Sequence, residues 1–464
     1  MRTRYFNLRV PTQGSETESV ELVVADGRFE EILPAGSATA AGDDQWIDLE
    51  GALVLPGVID GHVHFDDPGF TQREDFASGT SAAAAGGVTC VVDMPCTSLP
   101  PVTTANALEN KLKIIGPKAH VDYMLWGGVS GNAVTNQQWR QHLADLADAG
   151  VAAIKIYMLS GMETFRDLTT SEIREVLTQT HKLGIPVGIH AEDRSLVDEL
   201  TERAKGRGDD SPAAYASARP AAAEATAVMA AIEAVRDTGA RVHIVHLASG
   251  EALDMVSAAR FEDLPVSAET CPHYLQFTTE DFSRMGSVLK TAPVVKEESD
   301  RQRLWQGLES GELSFVATDH AAARWPDEKE TGSIWTDYGG VPGVELLLPY
   351  LYSEGVVAGR ITLERLTELL CFEPARFFGI DHRKGRLRAG GDADFVVFDE
   401  GARWTVKANA LHNLNRYTPF EGFELTGRVR ATYVRGLCAF ERRAEGTEFF
   451  SPAGTGEWIR RGVV

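Results

Sequence analysis

Cysteine is scarce in this chain, with five in 464 residues. They stand at Cys90, Cys96, Cys271, Cys371 and Cys438, never in C-x-x-C spacing, and their number is odd. That argues against a disulfide framework and for a reducing compartment. Lysine is scarce too, at 11 of the 45 basic residues, and 67 acids leave a formal net charge of -22. A surface this acidic argues against a nucleic-acid backbone or an anionic lipid as partner. No run of about 18 uncharged apolar residues is present to cross a membrane. The opening "MRTRYFNLRV" lacks the apolar centre of a secretory signal. There is no P-loop, no G-x-S-x-G, no internal repeat and no low-complexity segment. These absences lead us to expect a soluble cytoplasmic protein.

What is present is ordinary globular composition, 43% hydrophobic and 24% charged. The length suits one large domain with a smaller one. Both ends read as strands. "SVELVVADGRFEEILPAG" alternates about an Asp26-Gly27 turn, and "GDADFVVFD" and "GRVRATYVRG" have the same character near the C-terminus. Residues 1–55 and 381–464 are therefore predicted to build one small β domain. Between them, over 56–380, eight short apolar runs alternate with helical stretches. The runs are "VLPGVIDGHVHF", "GVTCVVDMP", "HVDYMLWGG", "GVAAIKIYML", "IPVGIHAE", "ARVHIVHLAS", "LPVSAETCPH" and "LSFVATDHA". Among the helices, "TTSEIREVLTQTHKLG" carries a Thr169/Glu172 capping box, an apolar face of Ile173, Val176, Leu177 and Leu183, and a Gly184 stop. The Ala-rich stretch 212–234 is predicted helical. Eight βα units over this length make an α/β fold, a (β/α)8 TIM barrel, with a doubly wound sheet as the alternative.

The chemistry gathers at strand ends. His62 and His64 are one residue apart, so both point to one side of a strand, and at its C-terminal end that side is the barrel mouth. His190, His246 and Asp319 end three further runs, with His243 facing elsewhere. Imidazoles and a carboxylate at this many strand ends suit divalent zinc, or iron or manganese in a more oxygen-rich sphere. Lys155 lies inside an apolar strand, where a cation is costly. It either snorkels to a strand end or is neutral and takes up CO2. The resulting carbamate would bridge two metal ions about 3.5–4 Å apart, as in two-metal hydrolytic sites.

These motifs together, with "GTSAAAAGGVTCVVDMP", "IKIYM", "HAED", "ETCPHYL" and "KGRLRAGGDADFVVFD", resemble the amidohydrolase superfamily over nearly the whole chain. The resemblance is to its cyclic-amidase branch of dihydroorotases, allantoinases and hydantoinases. It implies a barrel with a small β-sandwich from both termini and two divalent metal ions. One ion would be held by His62, His64, carboxylated Lys155 and Asp319, the other by Lys155, His190 and His246. Asp319 would act as general acid and base in ring opening. A homo-oligomer, tetramer or dimer, is implied too. Dihydroorotases of this kind read H-x-H-L-R-E-P-G and hold the substrate carboxylate with that Arg. Here "HVHFDDPG" puts Asp66 in its place, and Cys96 replaces an Asn, against an anionic ring. Hydantoinases carry a Tyr five residues past the Lys, where this chain has Ser160. The expectation is therefore a small neutral cyclic amide or ureide, allantoin first, although "TDHAAA" departs from the allantoinase pattern. Dihydroorotase and hydantoinase activity are the alternatives, and a catalytically inert scaffold is the reading from another class. His273, beside Cys271, is a candidate substrate contact or a packing residue. "YGGVPGVE" offers Gly339 and Gly340 as backbone donors, or an ordinary tight turn.

Overall fold

The barrel strands are short and apolar, and Val58–His64, Val88–Asp93 and Asp122–Leu125 are buried at every position, as a parallel strand covered on both faces requires. The computed structural model describes residues 2–37, 44–443 and 446–462. Val58–His64 pairs with Val88–Asp93, and that strand with Asp122–Leu125. The third strand breaks at Trp126 and resumes as Gly127–Gly128, which pairs with Ile154–Tyr157. Val187–His190, Val242–Ile244, Val266–Thr270 and Phe315–Val316 follow in turn. The eighth strand also breaks, and its upper half, His320–Ala321, pairs with the first. Every pairing is parallel, so eight strands close into a barrel with intervening helices outside.

Both breaks serve the interior. Trp126 turns inward, fully buried, and its indole N–H reaches the carbonyl of Gly61 at 3.1 Å. A Cβ on Gly188 would lie 2.7 Å from the Trp126 ring, and one on Gly61 would lie 3.0 Å from Phe315 and 3.1 Å from Phe378. The glycine of "DGHVH" is thus set by close packing beneath the site. In the eighth strand the break falls at 317–319. The chain leaves the seventh strand for the first there, and Asp319 has a positive φ of 48°.

The helix after the fourth strand, Thr170–Leu183, has the expected capping box and stops at Gly184 in the left-handed conformation. Its buried stripe is Ile173, Val176, Leu177 and Thr180, and Leu183 is 37% exposed. Seven residues beyond Ile173 the helix returns to the same face, and ten beyond it does not, so Thr180 takes the place expected of Leu183. The Ala-rich stretch forms two helices, Pro212–Ser217 and Ala221–Thr238, separated by Pro220.

The terminal segments form one eight-stranded sheet, with Gln45–Pro56 joining the N-terminal strands to Phe395–Thr405. Thr17–Ala25 and Arg28–Pro34 make the hairpin about Asp26-Gly27. Phe29 and Phe395 lie four strands apart, about 19 Å in a flat sheet. Their rings are 6.1 Å apart, so the sheet rolls over on itself and encloses its own core, as a sandwich does. Lys384 joins sheet and barrel, with Nζ 2.7 Å from Asp122 of the third barrel strand and 2.5 Å from Asp394.

Candidate active site

At the C-terminal ends of the strands five of the eight contribute to one cluster. His62 and His64 come from the first, Lys155 from the fourth, His190 from the fifth, His246 from just past the sixth, and Asp319 from the break in the eighth. Asp319 Oδ1 lies 3.2 Å from His62 Nε2 and 3.1 Å from His64 Nε2. His190 Nδ1 and His246 Nε2 face each other at 3.0 Å. The His62 and His246 rings are 5.4 Å apart, which joins the two halves. Parallel register places Lys155 opposite Gly188 on one side and Gly128 on the other. Lys155 Nζ is buried and has no hydrogen-bond partner among the described residues, as is true of His246 Nδ1. His246 and Asp319 both have positive φ, 41° and 48°, a strained conformation that clusters at functional sites.

The surroundings set protonation. Burial lowers His62 and His190 and pushes His246 well below the ordinary imidazole range, which keeps lone pairs available. Burial also brings the Lys155 amine down to about 8. Glu269 accepts from His62 Nδ1 at 2.6 Å, and Glu192 from His190 Nε2 at 2.9 Å. Each carboxylate fixes a tautomer, and the free nitrogen of each ring turns to the cluster. Burial would raise Glu269, but His62 and His243 outweigh it and hold it at about 2. His243 is not part of the cluster. It lies below, stacked on Phe315 at 4.8 Å, and meets Glu269 at 3.2 Å.

His62, His64 and Asp319 form a group whose ligand atoms lie close enough together to hold a metal ion. Ligand atoms on one tetrahedral zinc stand about 3.3 Å apart, given metal–nitrogen distances near 2.0–2.1 Å. The His62, His64 and Asp319 atoms and the His190/His246 pair have nearly that spacing. The unpartnered Lys155 Nζ lies in the same buried cluster.

The remaining expected residues fall differently. The Ser160 hydroxyl donates to the Phe165 carbonyl at 2.7 Å and accepts from Met162 N–H at 3.1 Å, so its own loop occupies it. The Gly340 N–H is taken by the Lys290 carbonyl at 2.8 Å, and the Gly340 carbonyl by Lys329 Nζ at 2.6 Å. Gly339 is exposed. The loop instead presents Tyr338, whose phenol is held well above its ordinary value by burial and then by Asp66. His273 is buried with Nε2 unpartnered, and burial lowers it to about 4.

Three site residues escape the strand-end reading. Glu269 is one. Tyr157 stacks on His190 at 5.1 Å, lies 4.7 Å from Lys155 Nζ, and places its hydroxyl 3.2 Å from Cys96 Sγ. Cys96 in turn lies 3.7 Å from His64 Nδ1. Tyr157 follows Lys155 by two, the spacing that pairs His62 with His64, and that signal was available.

The sequence pattern of the amidohydrolase family matches residues 53–438. An allantoinase of Rubrobacter xylanophilus is 38% identical over 425 residues, covering 91% of each chain. An L-hydantoinase of Paenarthrobacter aurescens is 32% identical and covers 98% of this chain and 97% of its own. The solved L-hydantoinase (dihydropyrimidinase) from Arthrobacter aurescens matches with a TM-score of 0.92 at 31% identity, covering 99% of both chains. Given this match on the barrel and cluster described above, the chain belongs to the amidohydrolase family.

Proposed function

We propose that the protein hydrolyses the ring amide of a cyclic ureide, with allantoin as substrate and allantoate as product. The observation that carries the reading is the convergence of His62, His64, Lys155, His190, His246 and Asp319 from five strands on one buried cluster. Similarity to allantoinases favours allantoin. The Lys155 amine, buried and lowered to about 8, is suited to attack CO2. An N–C bond forms, a proton leaves to water, and the amine becomes an anionic carbamate. His62, His64, Lys155 and Asp319 would hold one divalent cation, zinc in this reading, and Lys155, His190 and His246 the other. Such a pair polarises a ring carbonyl and makes hydroxide available near neutral pH.

This chain's own residues do the rest. Asp319, within 3.2 Å of His62 and 3.1 Å of His64, takes the proton of the attacking water as the O–C bond forms. It then gives that proton to the ring nitrogen as the C–N bond breaks. One carboxylate serves both steps because they are sequential. Glu269 and Glu192 keep two imidazoles oriented, and Tyr157 packs over His190. The five free thiols, four of them buried, suit a reducing cytoplasm.

Ring opening by the metal-loaded protein across allantoin, hydantoin, dihydrouracil and dihydroorotate tests the proposal. The expected result is a preference for allantoin with about two metal equivalents per chain. Hydantoinase activity is the second reading, favoured by the 0.92 TM-score to an L-hydantoinase. Faster turnover of hydantoin or dihydrouracil than of allantoin would replace the first reading with it.

A further inference from the structure

Two cations outside the cluster take no part in the reaction above. Arg219 and Lys296 have side chains only 16% and 5% exposed. A buried charge persists where it is paired, so their partners show what the two residues hold.

Arg219 sits between the helices Pro212–Ser217 and Ala221–Thr238. Its Nη1 donates to Glu192 Oε2, the same oxygen that meets His190 Nε2 at 2.9 Å. Glu192 Oε1 has no partner among the described residues, so this buried carboxylate is held by His190 and Arg219 through one oxygen. Lys296 Nζ donates to the Arg219 carbonyl at 2.7 Å and lies 3.7 Å from Glu224 Oε2. Glu224 Oε1 accepts the N–H of Ala248 at 3.0 Å, two residues past His246. One chain of contacts thus runs from the carboxylate behind His190 to the backbone beside His246, whose φ is positive at 41°. These are the two imidazoles that face each other at 3.0 Å.

We infer that Arg219 is a positioning residue for ring opening. It fixes Glu192 and thereby aims His190 at the second metal ion, and Lys296 and Glu224 extend the hold to the His246 backbone. Without Arg219, Glu192 keeps His190 as its partner and follows the imidazole instead of fixing it. This rests on the ring-opening reading above. A cavity of about 450 Å³ lined by Arg219, Lys296, Ser217 and Thr279 lies beside the network, so a small cation can take the place of a deleted guanidinium.

The test measures both zinc affinities, by competition with a chelator, in wild type, Arg219→Met and Arg219→Lys, with melting curves on the same preparations. Removing a direct partner of a metal ligand costs about 10–100-fold in affinity. Arg219 acts one step further out, so the second zinc should weaken about 10-fold in Arg219→Met while the first keeps its affinity. Arg219→Lys keeps the charge on a shorter reach and should lose less. Millimolar guanidinium should restore part of the loss in Arg219→Ala and change nothing in wild type. A role in stability alone would lower the melting temperature and leave both zinc affinities as they were. Unchanged second-zinc affinity in whichever of the variants fold overturns the inference, as does an equal loss at both sites. If wild type itself does not take up two zinc ions, the two-metal reading fails by itself. Arg219 is then judged on the His190 ring in metal-free protein, by nitrogen NMR assigned with His190→Asn. Wild type should show one tautomer with the proton on Nε2, and Arg219→Met a mixture; the same single tautomer in both overturns the inference.

Discussion

Lys155 and Lys384 are both almost wholly buried, and each lies beside three residues of metal-ligand type. Near Lys155 these are His62, His64 and Asp319, and around Lys384 they are Asp122, Asp392 and Asp394. Lys384 Nζ stands 2.7, 3.1 and 2.5 Å from the three carboxylates. Burial would lower it, but the carboxylates outweigh burial and raise it. Lys155 has no hydrogen-bond partner among the described residues, and burial prevails, bringing it to about 8. Residue type and burial are the same in the two places. What separates a junction from a reactive site is whether the lysine already fills the donor cluster. At 122/392/394 the cation is built in and leaves no vacancy for a metal. At the barrel mouth the lysine has no hydrogen-bond partner among the described residues, and its amine, lowered to about 8, keeps a neutral fraction near neutral pH.

That contrast predicts opposite failures. Lys155→Ala should lose more than about 100-fold in turnover, beyond the 10–100-fold of losing a partner that only orients a ligand. Its metal content should fall well below two per chain, with partial rescue by short carboxylic acids. Compared in metal-stripped form, where the stabilisation that bound metal supplies is absent from both, thermal stability should change little, because the amine removed is unpaired. Lys384→Met should do the reverse. Three buried carboxylates lose their cation, at a cost of about 3–5 kcal/mol, while the folded fraction keeps its metals and its kcat. Melting curves, metal analysis and turnover on the same preparations check both. If Lys384→Met loses metal, or if Lys155→Ala loses mainly stability, the distinction fails. The pH dependence of the Lys384 contribution has a definite sign. A raised lysine stabilises fully below its unfolded value of 10.5 and loses that contribution as pH rises through the higher folded value. The melting gap between wild type and Lys384→Met should therefore hold from pH 7 to 9 and close only in stronger alkali.

Glu269→Gln sharpens the contrast from within the metal side. The amide is nearly isosteric but no longer a charged acceptor for His62 Nδ1–H, 2.6 Å away. Metal affinity should fall about 10–100-fold, measured by competition with a chelator. Wild-type affinity would show that packing alone orients His62.

Much of this site could be read in the chain itself because each barrel strand carries its chemistry at its C-terminal end. Alternation then tells which neighbours share a face, and that placed His62 with His64 and gathered His190, His246 and Asp319. Glu269 was hidden because it lies one level lower, in the strand that runs into Cys271 and the short helix holding His273, and its role depends on His62, 207 residues away. The Lys384 junction gave no local sign either. Asp122 is 262 residues from Lys384, and each residue alone reads as an ordinary surface charge. Ser160 and Gly340 misled for a different reason. Their types suit substrate contacts, but only the folded loop shows their hydroxyl and N–H already used. Tyr338, which the same loop does present, was passed over for the glycines beside it.

The mildest change probes how completely Lys384 satisfies its cluster. Asp392→Asn removes one of three negative charges but keeps an oxygen of the same shape. Asp122 and Asp394 still flank Lys384, and the change frees Arg383, whose Nη2 is 2.7 Å from Asp392. The net loss should be about 1 kcal/mol, the scale of one hydrogen bond exchanged. Adding zinc to metal-stripped protein should raise the melting temperature of wild type and Asp392→Asn equally, since binding stabilises through the barrel-mouth cluster alone. A smaller zinc response in Asp392→Asn would mean that the acidic junction also takes up metal, and the two lysines would then differ less than their surroundings indicate.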